Sequence, residues 1–431
     1  MGVLSPALPA LAAAFGVGAR EIAWVFTLYL LANVAAIPVA TQLADRYGRR
    51  PVYVGCVTVF AVGSAIAILA PSFGVFLFAR AMQAAGAGGI FPVATAAIGD
   101  RIPPQRRGAA LGMLGAIWGL AAIVGPLVGG TIAHFLSWHW IFAANIPLAA
   151  AVIVLARTHV PAEAAHARGP LDAAGTALLS AGLLATMTAL TQLDAGITLA
   201  GNRTTLTTLA VAIACFALLV PTERRAAEPV ISPELLANRQ VRTTYALEIV
   251  IGALEGALFF IPAALVAAQG MTLVAAGGIA AVGAVVFVAV IPLAGRALDA
   301  VGSRTVLWSG AALSGAGLVL FALLMRSAVG AVAAMIVAGV GFGALLGAPT
   351  RYIITNEVAE SRRATAIGLL SIFLIVGQIV GAALVGGIAG STPGAVGFVR
   401  AYETFAALAV LAIALAFALK PRQDERATAV R

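Results

Sequence analysis

Apolar runs of about 20 residues, each closed by a short polar or basic segment, recur along the entire chain. Read for period and length, they predict membrane-crossing helices at roughly 1–15, 22–42, 51–70, 73–98, 108–135, 138–156, 173–193, 204–221, 243–268, 272–295, 305–325, 328–350, 364–390 and 402–419. Thirteen of these are long enough to cross a bilayer. The first is short, and its length suggests a reading frame that continues upstream through a further apolar segment. The run at 243–268 is interrupted by two carboxylates, Glu248 and Glu255. Seven residues make nearly two helical turns, so both side chains leave one face, about 10 Å apart along the axis. A charge at bilayer depth costs at least about 2.5–3.5 kcal/mol on insertion scales, so it is rarely placed there without a partner or a task.

Composition sharpens this picture. The 431 residues are 61% hydrophobic and only 10% charged, and the mean hydropathy is +1.03. A soluble domain carries about 25% charged residues, so no soluble catalytic half is expected. The net charge of +9 does not point to nucleic acid, because the basic residues sit in short loops between apolar runs. With the loops alternating, 21 basic residues fall on one side and four, Arg20, Arg203, Arg326 and Arg400, on the other. That asymmetry makes the richer side, with the C-terminus, the expected cytoplasmic one. Arg80 is left within a span. Cys56 and Cys215 lie in apolar runs with no metal-ligand or disulfide spacing. The four histidines are scattered and no phosphate-binding P-loop is present, so no metal, cofactor or enzymatic chemistry is expected. A single lysine against 25 arginines, with abundant Ala and Gly, suggests a GC-rich bacterial source and hence a bacterial inner membrane.

The chain repeats itself. Thr41-Gln-Leu-Ala-Asp45-Arg46-Tyr-Gly48-Arg49-Arg50 returns as Gly295-Arg-Ala-Leu-Asp299-Ala-Val-Gly302-Ser-Arg304. Arg106-Arg-Gly-Ala-Ala-Leu-Gly112 returns as Arg362-Arg-Ala-Thr-Ala-Ile-Gly368, and Leu8-Pro9-Ala10 as Ile261-Pro262-Ala263. Offsets this close, 253 to 256 residues, predict two halves on one plan. Parallel halves of this kind are the architecture of rocking transporters.

The loop Thr41–Arg50 resembles the hallmark loop of the major facilitator superfamily, G-x-L-a-D-r-x-G-r-r, with Thr41 in place of the first Gly; the copy Gly295–Arg304 keeps that Gly. Gly48 permits a tight turn, and Asp45 can face a helix N-terminus or the neighbouring arginines. The resemblance implies a cytoplasmic latch formed by Asp45, Arg46, Gly48, Arg49, Arg50, Asp299, Gly302 and Arg304. Gly125-Pro126-Leu-Val-Gly129-Gly130 resembles the antiporter motif of the fifth helix, with Ala382 rather than Pro after Gly381 in the second half. Trp138-His-Trp-Ile-Phe-Ala-Ala-Asn145-Ile-Pro147 and Glu223-Arg-Arg-Ala-Ala-Glu-Pro229 resemble stretches of the 14-helix drug:proton antiporters, as do the extra spans near 173–221. Arg80-Ala-Met-Gln83-Ala-Ala-Gly86 resembles R-x-x-Q-G-x-G, with Ala84 departing from Gly. In that family the Arg is implicated in proton coupling. An acidic residue that the family carries in its first helix would fall immediately before Met1.

These readings imply an all-α polytopic membrane protein of the major facilitator fold, two six-helix bundles with two extra helices and an incomplete first helix. The expected divisions are 1–157, an inserted pair at 158–241, a second bundle at 242–420 and a cytoplasmic tail at 421–431. The expected activity is proton-coupled export, by alternating access, of a lipophilic drug or toxic compound, cationic or neutral. Glu255, Glu248 and Arg80 would carry the proton and substrate path, with Tyr245, Tyr29, Asn33, Gln83 and Trp118 beside them. Gln192, Gln269 and Gln378 are further polar candidates in the spans. The partners expected are a small-molecule substrate, protons and the bilayer, with no nucleic acid, and a monomer. A dedicated metabolite exporter, or a non-transporting sensor or scaffold of the same fold, are the alternatives.

Overall fold

Backbone polar groups inside a bilayer must be satisfied within the segment that carries them, which makes helices the available solution. The computed structural model describes residues 3–4, 7–22, 24–160, 172–193, 203–226, 229, 233–391, 394–422 and 425, and they are almost entirely helical. The first half holds α1 (Leu8–Phe15), α2 (Ala19–Ile22), α3 (Trp24–Tyr47), α4 (Arg49–Ile68), α5 (Phe73–Arg101), α6 (Pro104–Phe135), α7 (His139–Ala143) and α8 (Asn145–His159). The inserted pair is α9 (Ala173–Leu193) and α10 (Arg203–Arg225). Next come α11 (Pro233–Ala237), α12 (Arg239–Gly256), α13 (Ile261–Gln269), α14 (Leu273–Val301), α15 (Ser303–Leu324), α16 (Ala328–Leu346), α17 (Pro349–Glu357), α18 (Arg363–Ser391) and α19 (Ala395–Phe417).

Among the described residues, eleven helices or end-to-end helix pairs are long and apolar enough to cross a membrane. The pairs are α7 with α8, α12 with α13 and α16 with α17. The 32-residue α6, the 21-residue α9 and the short α1 occupy the other three expected positions. Polar residues start several helices: Ser72, Thr272 and Ser327 each accept an amide of the first turn, and Asn238 accepts those of Gln240 and Val241. Gly48 and Gly302, at matching positions of the repeated loop, adopt φ of 93° and 87°. A side chain is strained in that region, and the tight link from α3 to α4 and from α14 to α15 depends on it.

Two expected spans are broken rather than continuous. After Glu255, the 3₁₀ turn Ala257–Phe260 separates α12 from α13, and Pro262 sits where the next helix can begin without its amide. Gly347 and Ala348 separate α16 from α17, which starts on Pro349. The consequence is a correction to the loop reading of Arg351. It lies inside α17 and is buried, so it does not belong to the solvated basic loops.

Small residues let the helices approach. A Cβ on Gly252 or Gly256 of α12 would overlap the carbonyls of Leu374 or Gln378 on α18, and one on Gly377 or Gly381 would overlap those of Ile249 or Ala253. Such close backbone packing suits helices that gain little from hydrophobic burial in lipid. Gly387, on the same helix, has open space. Gly381→Ala is therefore expected to cost about 1–3 kcal/mol by overpacking, and Gly387→Ala to stay within about 0.5 kcal/mol of wild type. Thermal unfolding in detergent compares them directly, and equal midpoints would refute the tight crossing. The inserted pair packs on the first half: Ser180 Oγ donates to the Ala35 carbonyl at 2.9 Å, and Thr176 Oγ1 to Gln42 Oε1 at 2.9 Å.

Candidate functional site

Three charged side chains lie near one another in the second half, with no direct ion pair among them. Glu248 and Glu255 come from α12, and Arg351 from the helix that restarts at Pro349. Arg351 interacts electrostatically with both carboxylates. Its Nη1 donates to the Leu346 carbonyl at 3.0 Å, an acceptor freed by the break between α16 and α17. Its guanidinium lies 4.9 Å from the ring centre of Phe91 on α5, so it also touches the first half. Glu248 is buried at 2% exposure and hydrogen-bonds the Thr350 side chain, with Oε2 unpartnered among the described residues. Glu255 is partly exposed, and its Oε2 accepts from Gln378 Nε2 of α18 at 2.8 Å. Two carboxylates therefore lie in the field of one guanidinium, and Glu255 is the more exposed of the two.

Tyr245, on the same face of α12, is committed to packing. Its hydroxyl donates to the Ala366 carbonyl at 3.1 Å and its ring meets Phe373 at 5.0 Å. A second polar centre stands in the first half. Arg80 is buried, its Nη1 donates to Gln83 Oε1 at 2.6 Å, and its guanidinium lies 4.2 Å from the Tyr29 ring centre. Gln83 Nε2 donates onward to Ser64 Oγ at 2.6 Å, and Asn145 Nδ2 reaches the same oxygen at 3.3 Å. Asn33 donates to the Ala84 carbonyl at 3.3 Å, a bond between α3 and α5. Arg80 Nε and Nη2 have no hydrogen-bond partner among the described residues.

The repeated loops lie where the two halves meet. Asp45 accepts the amides of Ala364 and Thr365, in the first turn of α18, at 3.0 and 2.7 Å. It also pairs with Arg49 at 2.7 Å. Arg49 bonds Asp100 at 3.0 Å and the Glu360 carbonyl, and Asp100 pairs in turn with Arg363. Burial in protein and membrane makes such charge-assisted bonds stronger than they would be in water. Asp299, the counterpart of Asp45, accepts the amides of Gly108 and Ala109 on α6, both at 3.0 Å. The position matching Arg49 is Ser303, which bonds the C-terminal Glu425 instead. Burial pushes the Glu425 carboxyl above the usual carboxylate range, against the hydrogen bonds from Ser303 that lower it. The two loops thus differ: one joins four charged side chains, and at the other Asp299 caps the start of α6.

Other proposed latch residues sit beside these bonds. Arg46 lies against the ring of Tyr47 and Arg304 against that of Phe417. Arg50 lines a separate cavity with Arg49 and Arg101. Gly125 and Gly129 are buried in α6, and a Cβ on Gly129 would overlap the Val3 carbonyl. Trp118, Pro126, Gly130 and Gln192 lie outside the residues whose side chains are described. Gln269 donates to the Met325 carbonyl at 2.6 Å. Sequence reasoning missed Arg351, Thr350, Asp100 and Phe91. The Gly347-Ala-Pro349 break immediately before Thr350 and Arg351 was the signal available for that pair.

Comparisons with known proteins agree with this architecture. Residues 1–286 and 247–431 match the family model described as Major Facilitator Superfamily. The uncharacterized MFS-type transporter YfiU of Bacillus subtilis is 35% identical over 404 residues, covering 90% of this chain and 76% of YfiU. Multidrug resistance protein 3 of Bacillus subtilis is 32% identical over 259 residues, 60% of this chain and 50% of that protein. Among solved structures, the human organic anion transporter MFSD10 superposes with a TM-score of 0.71 at 15% identity, covering 96% of this chain and 95% of that one. At that identity the likeness shows the fold alone.

Proposed function

This chain belongs to the Major Facilitator Superfamily, and we propose that within it the protein is a proton-coupled exporter of lipophilic cations. It is a multi-pass membrane transporter and not an enzyme. The observation that carries the finer reading is the charge balance at Arg351: two carboxylates against one guanidinium, held at membrane depth. That set has one negative charge to spare. A proton or an organic cation neutralises it, and both at once do not fit the same charge balance. Competition for one site is the simplest physical basis for exchange.

Glu255, the partly exposed member, takes the proton first in this reading. With its charge removed, Arg351 keeps the field of Glu248, its bond to the Leu346 carbonyl and its contact with Phe91. The contact between α17 and α5 then changes energy, and the balance between two arrangements of the halves shifts by that difference. The halves are the segments 1–157 and 242–420, rocking about the cavity between them with 158–241 alongside. Arg80 supplies a positive charge buried in the first half. The basic loops and the C-terminal tail would face the cytoplasm of a bacterial cell, in keeping with the 21-to-4 split of basic residues, 20 to 4 without the buried Arg351. The relatives named for multidrug resistance and efflux support a drug-like substrate. The protein would work as a monomer.

The test is efflux of a cationic dye from energised cells. Wild-type efflux should collapse with a protonophore, and Glu255→Gln should lower it at least about tenfold, the effect of losing roughly 1.4 kcal/mol of coupling. Protonophore-sensitive efflux untouched by Glu255→Gln would remove this carboxylate from the path. Absence of efflux for every cation tried would remove the substrate class.

A further inference from the structure

Of the two helices that carry the charged cluster of the second half, α17 is the shorter. It has nine residues, with non-helical backbone on both sides at Ala348 and Val358. A helix that short holds its place by tertiary contacts rather than by its own hydrogen bonds. At its start, Thr350 hydrogen-bonds Glu248 of α12 and Arg351 attracts it electrostatically. At its other end the Glu357 side chain, 5% exposed, accepts from Asn238 Nδ2 at 3.2 Å and from Lys420 Nζ at 2.5 Å. Asn238 caps α12, and the Lys420 amide donates to Gln240 Oε1, in the first turn of that helix, at 2.9 Å. Lys420 follows the end of α19, so the start of the C-terminal tail ties the basic-loop ends of α12 and α17 together.

A second anchor holds the same tail. Glu425 accepts the amide of Ser303 at 3.1 Å and also its hydroxyl, and its own amide donates to the Pro421 carbonyl at 3.2 Å. A Cβ on Gly302 would crowd Arg422, so the tail packs closely on the link between α14 and α15.

We propose that Lys420 is a positioning residue: with Glu357, Asn238 and Gln240 it clasps α17 to α12, and the clasp sets the place of Arg351 beside Glu248 and Glu255. The two helices are joined at two levels, at Glu248 and at Asn238, about 15 Å apart along α12. Pinned at one level only, α17 is free to pivot about the break at Gly347 and Ala348; pinned at both, it is not. A cation suits the lower level because the Glu357 carboxylate has little water around it, and a charge-assisted bond is strong there. The bearing of the clasp on transport rests on the role of Arg351 proposed above, whereas the clasp itself is measured without transport.

Hydrogen–deuterium exchange on the full chain in detergent reads the seating of α17. Lys420→Gln should speed exchange of the α17 amides at least about fivefold and leave α4 and α5 unchanged. Lys420→Arg, which keeps the charge, should exchange like wild type. Glu425→Ala removes the outer anchor and leaves Lys420, and should loosen α17 in the same pattern but less. If Lys420→Gln does not fold, the Glu425→Ala pattern decides. The second readout is the coupling between Glu248 and Arg351 in double-mutant cycles of thermal stability, which should fall by at least about half in the Lys420→Gln background. A general loss of stability would lower every midpoint and leave that coupling as it was. Unchanged α17 exchange in Lys420→Gln, equal loosening in Lys420→Arg, or a coupling that survives Lys420→Gln would each overturn the proposal. Neither readout involves dye efflux, so absence of efflux would count against the exporter reading alone.

Discussion

Arg351→Gln is expected to abolish efflux and destabilise the folded protein, and adding Glu248→Gln to restore most of the stability without restoring efflux. Arg351 is the only described cation in electrostatic contact with both carboxylates of α12. Removing it leaves Glu248 buried beside Thr350 with an unpartnered oxygen and no counter-charge. Arg351 and Glu248 form no direct ion pair, so the cost should fall below that of a broken buried contact pair, about 3–5 kcal/mol, with most of it coming from the charge left behind. Deleting Glu248 as well removes that charge, while Glu255 keeps its bond from Gln378. A double-mutant cycle on thermal stability should therefore show a coupling of at least about 1.5 kcal/mol between Glu248 and Arg351. Dye efflux on the same four proteins separates structure from transport. Additive stability changes would show that the two groups do not act together, and efflux recovered in the double variant would make their role purely structural.

The second large effect is on the latch. Asp45→Asn is expected to open the basic-loop end, and Asp299→Asn to do so less. Asp45 accepts two amides of α18 and holds Arg49, which reaches on to Asp100 and Glu360. Asn keeps one acceptor oxygen and turns an NH₂ toward donors. Hydrogen bonds to a charged group are worth about 1.5–3 kcal/mol each, so the loss should raise the open population at least about tenfold. Asp299 has the two amides of α6 but a serine where Arg49 stands. Spin labels at Tyr47 and Ser361, in a background with Cys56 and Cys215 replaced, measure the separation across this seam. Longer distances should grow in Asp45→Asn. Distributions that superimpose on wild type would show that the network does not hold the halves together.

Much of the fold was legible because membrane insertion is a local constraint. Each span had to be about 20 apolar residues long, and each tight turn after the repeated Asp needed a glycine, as at Gly48 and Gly302. The two breaks were harder to see. Gly256 and the Gly347–Pro349 stretch sit in runs whose mean hydropathy stays high, so hydropathy passes over them. Arg351 lies one residue past the end of such a run. By composition it belongs with the loop arginines, and only its placement in α17 makes it a partner of Glu248 and Glu255. Tyr245 shows the converse. Its spacing puts it on the face of the two carboxylates, yet α18 takes its hydroxyl into a backbone bond.

By itself the sequence carried the order of the apolar helices, the repeated loop motif, the asymmetry of the basic segments and the presence of two carboxylates within an apolar run. All of these follow from residues near one another along the chain, where helical period and the cost of unsatisfied backbone act. The tertiary structure alone decided which charges pair. Asp45 reaches amides some 320 residues away, Arg49 is joined to Asp100, and Arg351 stands between the carboxylates of α12 and a ring of the other half. An ion pair is a long-range contact in sequence, and any of the many arginines could have answered a given carboxylate. Helix breaks at Gly347 and close crossings at Gly252, Gly256, Gly377 and Gly381 choose among them, because they set how near the backbones come and which way each side chain points.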